Sequence, residues 1–359
     1  MPEPLPHPEP DLQPEQAVAL VLDAFARVRT ELHKVIVGQD EVVEQSLIAI
    51  FCRGHAVVVG VPGLAKTLLI STIARTLSLG FSRIQFTPDL MPSDITGTEV
   101  IEEDKATGAR ELRFVKGPVF ANVILADEIN RTPPKTQAAL LESMQERQVT
   151  VGGVQHKLPD PFFVLATQNP IEQEGTYPLP EAQLDRFMFQ ILIAYPNAEE
   201  ELEIVKRQGA GSASPVQAVL TGPDIRRIHA VIRAIPAADH VLRYALRLVR
   251  ATRVGDPMDA GLTRPKAVQE YVGWGAGPRA SEYLVLAAKA KAALSGAMHD
   301  TPEHIRAMAK PVLRHRILTN FNAEADQVTT DAIIDDLLRS IPVEGVGEAD
   351  RRQMEKVLR

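Results

Sequence analysis

The segment Gly60-Val-Pro-Gly-Leu-Ala-Lys-Thr67 follows the β-branched run Ala56–Val59 and precedes a helical pattern over residues 67–79. A glycine-rich turn between a strand and a helix is typical of a phosphate-binding loop, whose backbone N–H groups and helix N-terminus surround phosphate oxygens. Lys66 is then expected to reach the β and γ phosphates, and Thr67 to ligate Mg²⁺. The nucleotide-binding residues predicted here are Gly60, Val61, Pro62, Gly63, Leu64, Ala65, Lys66, Thr67 and Leu68.

One residue departs from the usual loop pattern, because Ala65 stands where a glycine usually precedes the lysine. A methyl group is tolerated there if the φ angle of Ala65 is negative. The alternative interpretation is a glycine-rich turn beside an unrelated lysine. The strand before the loop and the helix after it favour the phosphate loop.

A second segment delivers two acids, since the apolar run 122–126 ends in Asp127 and Glu128. Ligands gather at the carboxyl ends of strands in open α/β sheets. Asp127 suits a hold on Mg²⁺, and Glu128 suits polarising the attacking water in phosphoryl transfer. Ordinary surface charges are the alternative, and the phosphate loop upstream argues against it. The adjacent acids favour nucleotide hydrolysis over transfer to a second substrate.

Strands alternate with helices through the first half of the chain, which predicts a parallel sheet covered by helices on both faces. Strands are predicted at 56–59, 83–86, 121–126, 162–167 and 187–193, and helices at 15–35, 40–51, 67–79 and 132–145. Two polar segments, 100–115 and 148–158, are interpreted as β-hairpin insertions. Helical periodicity dominates from 196 to about 338 and predicts a smaller all-α lid domain. The predicted division is a proline-rich tail 1–14, an α/β nucleotide-binding domain 15–195, the lid 196–341 and an appendage 342–359.

The composition excludes several classes of protein. With 45% hydrophobic and 24% charged residues, the 359-residue chain is neither mostly disordered nor a fibrous repeat. Its net charge of −7 lacks the broad basic field of a protein held mainly to nucleic acid. One cysteine, Cys52, cannot form an internal disulfide, and no apolar stretch is long enough to span a bilayer. A cytoplasmic location is therefore expected.

With these motifs, the chain resembles the AAA+ ATPases and, within them, the MoxR family of the helix-2-insert clade. The resemblance spans about residues 36–341 and is most specific over 60–67, 127–136 and 166–187. An alanine before the lysine is usual in this family. The resemblance implies ATP or ADP and Mg²⁺ as cofactors, and ATP hydrolysis that drives chaperone-like remodelling or assembly of other proteins.

The resemblance also implies roles for single residues. Val37, Gly38 and Gln39 match the segment that flanks the adenine. Asn169 matches the sensor 1 position, Arg186 the arginine finger that reaches the neighbouring subunit's γ-phosphate, and Arg279 the sensor 2 arginine of the lid. Arg131 is a rival for an interface role. The residues implied in catalysis are thus Lys66, Glu128, Asn169, Arg186 and Arg279.

A finger supplied in trans implies an oligomer, and the family suggests a hexameric ring. Partners carrying a von Willebrand factor A domain and protein clients are implied by resemblance. The hairpin tips 107–110 and 151–154 are expected to face the pore or a client, or else to be passive. Arg314-His315-Arg316 is interpreted as a small basic patch on the lid surface.

Other functions remain as alternatives. A nucleic-acid motor of the same clade is disfavoured because the chain is acidic and lacks stripes of aromatic and basic residues. A magnesium-chelatase-like motor subunit shares both insertions and would need porphyrin-handling partners. A nucleotide-gated scaffold with little turnover is disfavoured by the intact Asp127-Glu128 pair. A transcription activator is excluded because its Gly-Ala-Phe-Thr-Gly-Ala loop is absent.

Overall fold

The computed structural model describes residues 13–103, 110–170, 175–210, 215–257 and 263–343. Most of the predicted tail and appendage, and residues 107–109 of one hairpin tip, lie outside the described residues. None of the described helices is both long enough and apolar enough to cross a membrane.

A five-stranded parallel sheet forms the centre of the first domain, as the alternation of strands and helices predicts. Numbered along the chain, its strands are β1 (Ala56–Val59), β2 (Phe81–Gln85), β5 (Val123–Asp127), β8 (Phe163–Gln168) and β9 (Phe189–Leu192). Their order across the sheet is β2-β5-β8-β1-β9, and every neighbouring pair is parallel. The strand that ends before Asn169 therefore lies between the strand of the phosphate loop and the strand of the paired acids.

Helices cover both faces of this sheet. They are α1 (Pro14–Leu32), α2 (Asp40–Phe51), α3 (Lys66–Thr76), α4 (Pro92–Thr96), α5 (Pro134–Glu146) and α6 (Glu181–Leu184), with a 3₁₀ turn at Ile129–Arg131. Successive residues of β5 point to opposite faces, as the pleat requires. Leu125 accordingly packs in a core with α1, α2 and α3, whereas Ile124 packs in a second core with α5.

Both predicted hairpins are confirmed. The first pairs β3 (Gly97–Glu103) with β4 (Arg110–Lys116), and the second pairs β6 (Gln148–Val151) with β7 (Val154–Lys157). Each pair forms a separate two-stranded antiparallel sheet outside the parallel one. Both are therefore insertions into the sheet domain.

The rest of the described chain is mainly helical. Its helices are α7 (Ala198–Ala210), α8 (Gly222–Ala234), α9 (Asp239–Ala251), α10 (Lys266–Tyr271), α11 (Pro278–Leu294), α12 (Pro302–Leu313), α13 (Phe321–Ala325) and α14 (Thr330–Ser340). The lid also contains a small antiparallel ladder of β10 (Val272–Trp274) and β11 (Leu318–Thr319). The prediction of an all-α lid missed this ladder, because strands of two or three residues are too short to show a period-two pattern.

The lid and the sheet domain share one apolar core. Ile228 of α8 and Ala287 of α11 belong to the same buried cluster as Val28 of α1 and Leu165 of β8. The sheet domain is therefore attached to the lid through packed side chains as well as through the chain itself. The boundary at 195 remains a prediction.

Candidate nucleotide-binding site

The predicted phosphate loop joins β1 to the N-terminus of α3. Gly63 has φ +86°, a left-handed conformation that glycine adopts without strain. Ala65 also lies in the left-handed region, with φ +54°, so the condition for an unstrained methyl group at this position is not met. A left-handed alanine costs about 1 kcal/mol, and such strain is concentrated at ligand-binding loops.

Lys66 lies within the loop and beside the two acids. Its Nζ donates to the Gly60 carbonyl oxygen at 2.6 Å, so the side chain folds back over the loop. Burial lowers the pKa of Lys66, while the charges of Asp127 and Glu128 raise it. The structure thus brings the predicted phosphate ligand together with the predicted acids.

A threonine that sequence reasoning missed fixes both acids. The Oγ1 of Thr167, on β8, donates to Oδ1 of Asp127 at 2.6 Å, and the backbone N–H of Glu128 donates to the same Oγ1 at 2.8 Å. Thr167 is fully buried and Asp127 is 8% exposed. Thr167 therefore orients the carboxylate of Asp127 and the backbone of Glu128 through hydrogen bonds inside the sheet.

Two residues of β2 donate hydrogen bonds to the carboxylates of the two acids. Arg83 donates to Oδ2 of Asp127 through Nη2 at 2.7 Å and Nε at 3.1 Å. Gln85 Nε2 donates to Oε2 of Glu128 at 2.8 Å. Arg131, the predicted rival for an interface role, donates to the same Oε2 through Nη1 at 3.0 Å. Glu128 itself has φ +57°, a strained conformation that re-aims the chain at the strand end.

The segment predicted to flank the adenine lies against the phosphate loop. Gly38 and Gln39 both have left-handed backbone conformations, at φ +63° and +56°. Gln39 Nε2 donates to the Leu64 carbonyl oxygen at 3.4 Å. The left-handed backbone of Gly38 favours glycine, and a Cβ there would also displace the end of the Glu200 side chain. The structure therefore brings residues 37–39 to the predicted site, next to the start of α2.

The predicted sensor 1 residue, Asn169, is buried and directly follows β8. The N–H of Gly60 donates to the Gln168 carbonyl oxygen at 3.3 Å, which joins the end of β8 to the first residue of the loop. Asn169 thus lies at the sheet edge where the loop and the acids meet.

Each of the two arginines predicted to contact phosphate donates a hydrogen bond to a group outside the phosphate loop. Arg186 Nη1 donates to the Leu141 carbonyl oxygen of α5 at 3.0 Å. Arg279 Nη1 donates to Oδ2 of Asp185 at 3.0 Å. Arg279 is thus paired with the residue that precedes Arg186 in the chain. Neither of these two hydrogen bonds is made to a group of the phosphate loop.

Comparisons with known proteins place this geometry in a family. Residues 55–189 match the ATPase family associated with various cellular activities (AAA), and residues 264–337 match the AAA lid domain. Chaperone MoxR1 of Mycobacterium tuberculosis is 42% identical over 326 residues, which cover 91% of this chain and 84% of that protein. The chain belongs to the MoxR family of AAA+ ATPases.

Further relatives agree with this assignment. Protein MoxR of Methylorubrum extorquens is 32% identical over 89% of this MoxR-family chain and 94% of its own length. The crystal structure of a protein from Cytophaga hutchinsonii, described as a candidate ATPase, superposes with a TM-score of 0.82 at 42% identity. That superposition covers 92% of this chain and 98% of the other.

The MoxR-family site has donors that fit a magnesium ion. Mg²⁺ takes oxygen ligands, and typically one or two protein oxygens beside phosphate oxygens and water. Thr67 supplies a hydroxyl in the first turn of α3, and Asp127 a carboxylate at the end of β5. Both Asp127 oxygens already accept hydrogen bonds, so a metal would share this carboxylate with Thr167 and Arg83.

The interpretation of Arg314-His315-Arg316 as a surface patch is wrong. His315 and Arg316 are buried, and the Arg314 side chain is 11% exposed because it pairs with Asp331. Their backbone acceptors near β9 lie more than a hundred residues away in the chain, where no local pattern could indicate them. All three side chains donate to the backbone around β9.

Proposed function

We propose that this MoxR-family chain hydrolyses ATP with Mg²⁺ and, as an oligomeric ring, uses the cycle to remodel or mature partner proteins. The observation that carries the proposal is the Thr167 hydroxyl, which orients the Asp127 carboxylate and the Glu128 backbone at a strand end whose negative charges raise the pKa of Lys66. A strand end that holds two oriented acids beside a phosphate loop is suited to phosphoryl transfer to water.

Each group has a separate task in this proposal. Lys66 and the loop N–H groups bind the phosphates and offset their charge. Thr67 and Asp127 would hold the magnesium ion, which when bound would supply positive charge to stabilise the negative charge that develops during phosphoryl transfer. Glu128 orients and polarises the attacking water, with its Oε2 held by Gln85 and Arg131. Asn169 would add a neutral amide beside that water.

The remaining predicted roles concern the lid and a second subunit. Arg279 would contact the phosphates of its own site, and Arg186 the γ-phosphate of the neighbouring subunit, since a guanidinium suits phosphate oxygens. A site completed by its neighbour requires an oligomer, and a hexameric ring in the cytoplasm is proposed. Partners with a von Willebrand factor A domain and protein clients are proposed on the family relationship, and the relative named a chaperone supports protein partners.

Two variants test the chemistry. Glu128→Gln should bind ATP and hydrolyse it at least roughly a hundredfold more slowly. Lys66→Ala should lose ATP binding, measured with a fluorescent ATP analogue. Wild-type turnover in Glu128→Gln, or near-normal ATP affinity in Lys66→Ala, would contradict the proposal. DNA-stimulated turnover that weakens steeply with salt would favour the nucleic-acid motor instead.

A further inference from the structure

The backbone between α6 and β9 is held by side chains of the lid. We call this segment, residues 185–188, the 185–188 turn. Its four consecutive backbone carbonyl groups accept hydrogen bonds from lid side chains, and they belong to Asp185, Arg186, Phe187 and Met188. Arg316 donates to three of the four, at 2.8, 2.6 and 3.2 Å. Tyr283 donates to the carbonyl oxygen of Arg186 at 3.4 Å, and His315 Nε2 donates to that of Phe187 at 3.1 Å. The lid therefore specifies the backbone on both sides of Arg186.

Arg316 is the centre of this contact. Its side chain is 1% exposed, and its guanidinium lies 5.1 Å from the centre of the Tyr283 ring. Burial lowers the pKa of Arg316, while its bond to Asp185 raises it. An arginine stays protonated at neutral pH, so a full charge is buried here and is stabilised by the acceptors of the turn. A lysine has a single ammonium group and cannot reach the same acceptors together.

The Asp185 carboxylate joins this buried charge to a second arginine. Oδ1 accepts from Arg316 Nε at 2.8 Å, and Oδ2 accepts from Arg279 Nη1 at 3.0 Å. Arg279 lies in the first turn of α11, and its side chain is 38% exposed. The carboxylate of Asp185, the residue next to Arg186, thus connects the buried Arg316 to the more exposed Arg279.

We propose that Arg316 is a positioning residue for ATP hydrolysis, which sets Arg186 for its action on the neighbouring subunit by fixing the 185–188 turn to the lid. This inference rests on the proposed trans role of Arg186. Arg316 holds the backbone on both sides of Arg186. Replacing its guanidinium removes these hydrogen bonds and lets the 185–188 turn shift. A displacement of about 1 Å in a catalytic group can cost up to about a hundredfold in rate.

Arg314 provides a matched control in the same stretch of chain. It is nearly as buried, pairs with Asp331 at 2.8 and 2.7 Å, and donates to the Gln190 carbonyl oxygen at 2.8 Å. Its bonds therefore link the lid to β9 two residues beyond the turn. An Arg314→Lys change perturbs the attachment of the lid while leaving the bonds of Arg316 in place.

The test uses mixed oligomers in which one subunit can hydrolyse and the other supplies the finger. Arg186→Ala subunits keep Glu128 and serve as acceptors; Glu128→Gln subunits keep Arg186 and serve as donors. Donors are compared with and without a second change, Arg316→Lys, Asp185→Asn or Arg314→Lys. Turnover of each mixture is measured with the donor's ATP affinity and thermal unfolding. Asp185→Asn preserves the shape of the side chain and tests the turn should Arg316→Lys fail to fold.

The Glu128→Gln donor and its Arg314→Lys form should restore turnover to within about twofold of each other. Donors with Arg316→Lys, or with Asp185→Asn, should restore it about tenfold less, at an ATP affinity within about threefold. The inference would be overturned if the Arg316→Lys donor restored as much turnover as the Glu128→Gln donor without a second change. It would also be overturned if the Arg314→Lys donor restored as little turnover as the Arg316→Lys donor. If the Glu128→Gln donor restores nothing, the trans role of Arg186 and this inference both fall, whereas wild-type turnover reports the ATPase activity separately.

Discussion

Thr167 Oγ1 and Asp127 Oδ1, on neighbouring parallel strands, are joined by a hydrogen bond of 2.6 Å. The same hydroxyl accepts the N–H of Glu128 at 2.8 Å, so it donates to one acid and orients the backbone of the next. The position of both acids is thereby determined by a residue that is itself buried in the sheet.

Replacing Thr167 by valine should slow ATP hydrolysis about tenfold or more while leaving ATP affinity within a few-fold. Valine has nearly the same shape, but the N–H of Glu128 and Oδ1 of Asp127 lose the Thr167 hydroxyl, and preorganised groups of an active site then become misaligned. Steady-state kinetics give kcat and KM. Thr76→Val is the control, because the Thr76 side chain is equally buried and donates to the Ile73 carbonyl oxygen of its own helix. An unchanged kcat in Thr167→Val would contradict this role.

Removing Arg83 should lower the Mg²⁺ concentration needed for half-maximal turnover. Arg83 donates twice to Oδ2 of Asp127, so its positive charge competes with a cation for that oxygen. In Arg83→Met we expect the half-maximal Mg²⁺ concentration to fall about threefold, measured by titration at saturating ATP. Arg113→Met, which removes a hairpin arginine paired with Glu102, serves as the control. A higher Mg²⁺ requirement in Arg83→Met would show that Arg83 supports the site rather than competing in it.

Ala65→Gly should stabilise the fold. The left-handed conformation of Ala65 strains its Cβ, and glycine removes that strain at a smaller entropic cost. The expected gain is about 0.5–1 kcal/mol in the free energy of unfolding, followed by chemical denaturation, with ATP binding retained. Ala74→Gly, inside α3, should change stability in the opposite direction. A loss of stability in Ala65→Gly would mean that the methyl group makes packing contacts that outweigh the strain.

Asp300 should make the lid less stable as pH rises. Burial raises the pKa of Asp300 from about 3.8 to about 6, and both carboxylate oxygens lack a hydrogen-bond partner among the described residues. The folded chain thus holds a proton that the unfolded chain releases between these values, so stability falls as pH rises through this window. Asp300→Asn should exceed the wild type in free energy of unfolding by an amount that grows between about pH 4 and pH 6 and then stays constant, reaching about 1–3 kcal/mol at pH 8 by chemical denaturation. If the wild type is the more stable at pH 8, attraction to Lys289 outweighs the burial cost.

Much of the fold follows from short-range patterns. The phosphate loop, the acids at the end of β5 and the hairpins are predictable because each depends on neighbours within a few residues. The prediction that Asn169 lies at this sheet edge came from the family resemblance. In the strand order, β8, which ends before Asn169, lies between the strands of the phosphate loop and the acids.

The contacts that sequence reasoning missed are all long-range. Thr167 reads as one more residue of an apolar strand, and its partner Asp127 lies 40 residues away. Arg316 reads as surface charge, yet it is buried against a turn about 130 residues earlier. Burial of a charged side chain depends on acceptors supplied by tertiary packing, which local composition does not encode.

The central claim is an ATPase site completed between subunits, and the rate of hydrolysis per subunit against protein concentration tests it most directly. With ATP and Mg²⁺ saturating, we expect this rate to climb and then level off as light scattering reports assembly. A measurable rate that stays constant down to concentrations where light scattering reports monomers would contradict the claim, since a single subunit would then suffice.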